Sequence, residues 1–273
     1  MQVRFWGTRG SIPSPGRSTL LYGGNTSCLE IIYGDHSLIL DGGTGIRLLG
    51  QSLPKHSKKP VNILISHTHM DHIGGIPFFT PALNNGQPIR IYGPPGLKRS
   101  LKNLFPFPKL QSRKKVLEIK PHSFRIPPFR ISCRWVNHPG GNLGYKIQTP
   151  SGHSVVYISD HEPSLSCRHG KWAPLDEEIA RWIDHTDLLI MDAQYFENEY
   201  KKRLGWGHSP ISYTIQLAIH GGAKKLCLFH HDPNHSDATL KQKLKLARAL
   251  ITHSGTKLPC SLAQEGAVIT LSS

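Results

Sequence analysis

Acidic residues are scarce in this chain: 18 Asp and Glu stand against 33 Lys and Arg, a formal net charge of +15 with histidine neutral. Such a balance works against cationic partners and favours anionic ones: phosphorylated metabolites, nucleic acid or an acidic surface. Cysteine is scarce as well. The five residues (Cys28, Cys133, Cys167, Cys227 and Cys260) are scattered, odd in number and never in a CxxC pair. That pattern excludes a disulfide-framed scaffold and predicts buried thiols in a reducing compartment. No apolar run approaches the roughly 18 residues that a membrane span needs. The opening MQVRFWGTRG lacks the basic-then-apolar pattern of a secretory leader. Together these absences predict a cytoplasmic protein with no membrane partner. Disorder is excluded too, because 38% of the residues are hydrophobic and only 19% charged. A chain of 273 residues buries a full core unaided, and one domain over 1–273 is expected.

The positive charge is uneven. Lys98, Arg99, Lys102, Lys109, Arg113, Lys114, Lys115, Lys120, Arg125, Arg130 and Arg134 share one stretch with a single acid, Glu118. Pro106, Pro108, Pro121, Pro127 and Pro128 fall in it as well. It reads as a basic, proline-rich insertion around 98–134, partly irregular, and a solvated basic surface is its plainest use.

Elsewhere, short strands alternate with glycine turns and helices. MQVRFWG, SCLEIIYG and HSLILDGGTG read as strands, and the last stops at Asp41-Gly42-Gly43. IRLLGQSL reads as a short helix and VNILISH as a buried strand, by its unbroken apolar character. Further strands are predicted at 89–93, FRISCRWVNH, LGYKIQTP, HSVVYISD, DLLIMDAQ, AKKLCLFHH and GAVITL. Helices are predicted over 176–185, over DATLKQKLKLARALITH, and from Ser209-Pro210 to about His220, with Ser209 as N-cap. Two sheets packed together with helices outside account for this order.

Polar groups recur where strands end: Asp41, His67, His138, Asp160 and His230. Rigid strand ends that converge are where loops carry chemistry. The densest cluster is HTHMDH, residues 67–72, between an apolar strand and Gly74-Gly75. Zinc accepts His nitrogen and Asp oxygen at about 2.0–2.2 Å, so its ligands must converge tightly. In extended backbone His67 and His69 face one side, and the following turn swings Asp71 and His72 toward a second position. One loop can thus serve two ions, with Gly74 and Gly75 allowing close approach of the next helix. The competing reading is a histidine-rich loop of no chemical consequence, and His122, His153, His161 and His169 are assigned to that plainer class.

HTHMDH, with LDGGTG before it and NHPGGNLGY, YISDHE and LFHHDP after it, resembles the metallo-β-lactamase superfamily of binuclear hydrolases. The likeness runs from FWGTRGSIP to the last strand. It implies an α/β fold, an αββα four-layer sandwich of two mixed β-sheets flanked by helices. It also implies two divalent metal ions, zinc first and manganese or iron as alternatives. Residue by residue, His67, His69 and His138 match the ligands of the first ion. Asp71, His72 and His230 match those of the second, and Asp160 the bridging carboxylate. His231, beside His230, stays open as the last ligand. The resemblance further implies Asp41 as the group that orients a ligand histidine, with Asn25 either lining the pocket or serving as a turn residue.

HPGGNLGY and GWGHS resemble the phosphodiesterase branch, alongside tRNA 3′-processing endonucleases and cyclic-nucleotide phosphodiesterases. There, a histidine at the position of His208 contacts the phosphate, which makes His208 and Asp71 the catalytic candidates. The implied reaction is attack on phosphorus by a metal-bridging hydroxide. No long Gly/Pro-rich arm of the kind such nucleases use to grip tRNA is visible. Small phosphodiesters, cyclic nucleotides first, are therefore the expected substrates, with a tRNA 3′ endoribonuclease as the alternative. Nucleic acid is thus a possible partner but not the favoured one. A noncatalytic metal-binding scaffold is the alternative of a different class, and a missing ligand would be its sign. A homodimer is expected by analogy with the branch.

Overall fold

A computed structural model describes residues 1–54, 59–83, 87–104, 114–164 and 172–272. Lys109, Arg113, Pro106, Pro108, Cys167 and His169 lie outside them. The chain forms two compact units, residues 1–122 with 264–273, and residues 123–263.

In the first unit, β1 (Gln2–Gly7), β2 (Cys28–Tyr33) and β3 (His36–Leu40) form an antiparallel meander, with β14 (Val268–Thr270) added along β1. The pairing then turns parallel through β4 (Val61–Leu64), β5 (Ile89–Gly93) and β6 (Lys114–Glu118). Parallel neighbours need crossovers, and α1 (Ile46–Ser52), α2 (Met70–Ile73), α3 (Thr80–Leu83) and α4 (Leu97–Leu104) lie in them. Interior strand β4 is buried at every position, with Val61, Ile63 and Leu64 apolar and Asn62 the one polar residue among them. Ile39, Ile46, Leu49, Ile63, Ile76, Phe79, Ile91 and Leu97 form the core against which it packs.

The second unit repeats this plan. β7 (Ser123–Ile126), β8 (Phe129–Val136), β9 (Asn142–Gln148) and β10 (Ser154–Ile158) pair antiparallel. β11 (Leu188–Asp192), β12 (Leu226–Phe229) and β13 (Cys260–Leu262) continue in parallel. Its helices are α5 (Pro174–Ile183), α6 (Glu197–Tyr200), α7 (Ile211–His220) and α8 (Asp237–His253). Each sheet therefore changes from antiparallel to parallel at its fourth strand, β3 in one unit and β10 in the other. In open sheets, ligands bind beyond the carboxyl ends of strands at such a switch. Asp41 and Asp160 follow these two strands at equivalent places.

The basic stretch is more regular than its prolines suggested, since it contributes α4, β6, β7 and β8. Leu97, Leu101 and Leu104 recur at helical spacing and pack on the first core, which leaves Lys98, Arg99 and Lys102 pointing outward. Its one acid, Glu118, accepts from Gly96 N (3.1 Å) and Lys98 N (3.0 Å), so a carboxylate meets the positive end of α4. The helix predicted from Ser209 begins at Ile211 with Pro210 as its N-cap. Ser209 is no cap: its hydroxyl donates to the His161 carbonyl at 2.5 Å. Cys28, Cys133, Cys227 and Cys260 are buried thiols without disulfides, and burial pushes Cys227 and Cys260 up to about 12. Among the described residues no helix is long and apolar enough to cross a membrane.

Candidate active site

The first unit gathers Asp41, His67, His69, Asp71 and His72 behind β3 and β4. Asp41 is fully buried in left-handed backbone, φ 61°, a region that Asp enters more readily than most residues other than glycine. It accepts three hydrogen bonds: from Ser66 N (2.7 Å), Ser66 Oγ (2.8 Å) and His72 Nδ1 (2.8 Å). The carboxylate thus fixes the His72 tautomer and turns Nε2 outward as the lone-pair nitrogen, as outer partners of metal ligands do. Ser66 Oγ lies 3.1 Å from His67 Nδ1 and orients that ring likewise. The Asp71 Oδ2 accepts from Ser11 N (2.8 Å) and stands 3.1 Å from His72 Nε2. His67 packs against His69 and His72, with ring centroids 4.5 and 4.2 Å away.

Glycine makes this packing possible. A Cβ on Gly43 would lie 2.2 Å from the Asp71 carbonyl, and one on Gly75 would lie 2.0 Å from the Gly43 carbonyl. Two backbones that close admit no side chain between them. Asn25 is hydrogen-bonded through both ends of its side-chain amide. Its Nδ2 donates to Glu265 (3.0 Å) and its Oδ1 accepts from Thr44 Oγ1 (3.1 Å). It therefore ties the C-terminal segment to the turn before α1. Burial raises the Glu265 carboxyl, and the Asn25 hydrogen bonds oppose that rise.

In the second unit, three imidazoles surround one buried carboxylate oxygen. Asp160 Oδ2 lies 3.4 Å from His230 Nε2, 3.7 Å from His208 Nδ1 and 4.0 Å from His138 Nε2. Two ligands about 2.0–2.2 Å from a tetrahedral zinc ion stand about 3.3–3.6 Å apart, so the first spacing suits a shared ion. The nitrogens facing away are held. His138 Nδ1 donates to the Gly207 carbonyl (2.9 Å), and His230 Nδ1 to Gln194 Oε1 (2.9 Å). Both rings are therefore fixed as Nε2 donors to a cation. Asp192, His208 and His230 also bring ligand-type atoms within 4.8 Å of one another. His/Asp sets with anchored far nitrogens fit divalent metals in both units.

Geometry separates His230 from His231. His230 stands at φ 56°, which directs its ring to Asp160, whereas His231 Nε2 donates to the Ala263 carbonyl at 2.8 Å.

His208 is anchored from behind. Its Nδ1 donates to Asp192 Oδ2 (3.0 Å), and the same oxygen accepts from His161 N and Ser209 N, both at 3.2 Å. Its ring stacks on His230, centroids 4.8 Å apart. Tyr195 lies edge-on to it at 5.9 Å. Burial, and next the Asp192 charge, push the Tyr195 phenol well above its usual range, so it stays neutral. His161, assigned to the plainer class, bonds Tyr213 Oη at 2.7 Å inside the core.

Asp192, Gln194, Glu162 and Lys243 escaped the sequence reading. Asp192 carried a usable signal, since it ends a buried strand as Asp41 and Asp160 do. Lys243 carried none. It is fully buried in α8 and donates to the carbonyls of Ala193 and Gln194, each at 2.8 Å. This clamp fixes the segment that orients His208 and His230. Lys243→Met leaves two buried carbonyls short of a donor, and each such loss costs about 1–3 kcal/mol. A stability loss of about 2–5 kcal/mol is expected in urea unfolding, and an unchanged midpoint would refute the clamp.

The family model described as "Beta-lactamase superfamily domain" matches residues 36–231. The chain belongs to that superfamily. Among curated relatives, the Ribonuclease Z of Picosynechococcus sp. is 27% identical and the match covers 92% of each chain. That of Exiguobacterium sibiricum is 22% identical over 87% of this chain and 90% of its own. Among solved structures, the metallo-beta-lactamase fold protein YhfI of Bacillus subtilis superposes with TM-score 0.75, 21% identity and 98% of both chains. The short form of human tRNase Z gives 0.73, 22% and all of both chains. The fold is therefore the metallo-β-lactamase α/β sandwich with two mixed seven-stranded sheets.

Proposed function

We propose that this chain, a metal-dependent phosphodiester hydrolase, is an endoribonuclease whose substrates are 3′-extended tRNA precursors. The geometric observation that carries the hydrolytic reading is the Asp192-anchored His208 stacked on His230 beside Asp160. RNA is preferred over cyclic nucleotides because curated relatives named Ribonuclease Z match along nearly their whole length. The lack of a recognisable arm had favoured small diesters. A charge of +15 supplies phosphate attraction without an arm, since backbone contacts dominate nucleic-acid affinity.

On the motif, His67, His69 and His138 are proposed to hold one divalent ion, and Asp71, His72 and His230 a second, with Asp160 shared. Zinc is the proposed ion, and manganese or iron would suit the same donors. Ions held there would supply an activated water near neutral pH and offset phosphoryl charge. The chain's own groups do the rest. Asp41 and Gln194 hold His72 and His230 in the ligating tautomer. Asp71, with one oxygen fixed by Ser11 N, is placed to take a proton from the attacking water. His208, its imidazolium stabilised by Asp192, delivers a proton to the departing ribose oxygen. Two copies are expected to associate, by analogy with the branch, and a monomer mass in light scattering at micromolar concentrations would overturn that.

The substrate reading is tested by incubating a 3′-extended tRNA precursor and a 3′,5′-cyclic nucleotide side by side, with a chelator control. Precursor cleavage that the chelator abolishes, with slow cyclic-nucleotide turnover, is expected. Rapid cyclic-nucleotide hydrolysis with an intact precursor would reverse the assignment.

A further inference from the structure

The loop just before His208 displays a large apolar side chain to solvent. Trp206 is 62% exposed, although its neighbours are firmly held. Glu162, 5% exposed, accepts from Gly205 N (2.7 Å) through one oxygen and from Gly207 N (2.8 Å) through the other. Tyr200 Oη donates to it as well, at 3.2 Å. Gly205 and Gly207 have φ of 85° and 88°, conformations that glycine alone adopts without strain. Gly207 lies so close to His138 that a Cβ there would sit 2.2 Å from Nδ1, and its carbonyl accepts from that nitrogen.

One buried carboxylate therefore clamps the backbone on both sides of an exposed indole. The clamp lies against His138, and His208 follows within two residues. An indole needed only for packing would be buried, and one on a loose loop would need no clamp. A rigid exposed aromatic loses little freedom when it binds, which is the property of a stacking platform.

We infer that Trp206 stacks on a nucleobase next to the scissile phosphodiester and that Glu162 is the residue positioning it. This rests on the nucleic-acid reading of the site above. Stacking tolerates any base, because each has a π-face, so the platform selects nucleotides over simple diesters without reading sequence. Glu162 touches no substrate. It acts through the two glycine amides.

Wild type, Trp206→Ala, Trp206→Phe and Glu162→Gln are compared on a 3′-extended tRNA precursor and on a diester control without a nucleobase, ethyl 4-nitrophenyl phosphate. The readout is the ratio of kcat/KM on RNA to kcat/KM on the control. For Trp206→Ala this ratio should fall about 5- to 150-fold, the span of one aromatic–base stack, mainly through KM on RNA. Trp206→Phe should keep most of it, and Glu162→Gln should fall between. Indole fluorescence gives a second readout: RNA should quench the wild type more than Trp206→Phe. Where the wild type cleaves RNA, an unchanged ratio in Trp206→Ala would overturn the platform alone. No RNA cleavage by the wild type would instead overturn the substrate reading. A Trp206→Ala protein that changes mass in light scattering would make the indole an interface residue and overturn the proposal.

Discussion

Replacing His208 by alanine is expected to slow RNA cleavage by about 10²–10⁴-fold, the usual span for general acid–base catalysis, while metal content stays the same. The departing ribose oxygen has a high pKa and needs a proton in the transition state. A nitrophenolate leaves without one. The loss on a nitrophenyl diester should therefore be clearly smaller. The anchoring supports this division, since Asp192 fixes the ring through Nδ1. Asp192→Asn should reproduce part of the loss by disturbing the tautomer. Equal losses on both substrates would reduce His208 to phosphate binding, and lost metal would make it a ligand.

Asp160→Ala is expected to have the larger consequence. The carboxylate lies under three imidazoles and is 1% exposed, so its removal takes away the oxygen that all three face. Changes to outer partners of a metal ligand cost about 10–100-fold. Loss of the shared ligand proposed above should exceed that, at about 10³-fold or more in activity, with metal lost alongside. Circular dichroism should match the wild type, which separates ligand loss from unfolding. Full metal and full activity in Asp160→Ala would remove Asp160 from the site.

These residues differ in how visible they were. Asp41, His67 and Asp160 each interrupt an apolar strand at its carboxyl end, where burial makes a polar group conspicuous. Asp192 does the same in DLLIMDAQ and was overlooked because no motif drew attention to it. Gln194 and Lys243 had no such signal, because their partners lie 36 and 50 residues away and only the folded sheet brings them together. The choice between His230 and His231 turned on a backbone angle, which adjacent identical residues cannot reveal. Edge strands were the least legible elements. β6 reads KKVLE and β7 reads SFRI, and strands paired along one side only need little apolar character. Helix α4 was hidden by the lysines and arginine on its outer face.

Divalent metal held by this His/Asp set is proposed to make the chain a hydrolase. Elemental analysis of purified protein, made on the same samples as the RNA-cleavage assay, tests it most directly. Close to two divalent ions per chain are expected, with cleavage that falls as a chelator removes them and recovers when zinc or manganese is returned. Full RNA cleavage by protein shown to contain no metal would contradict it.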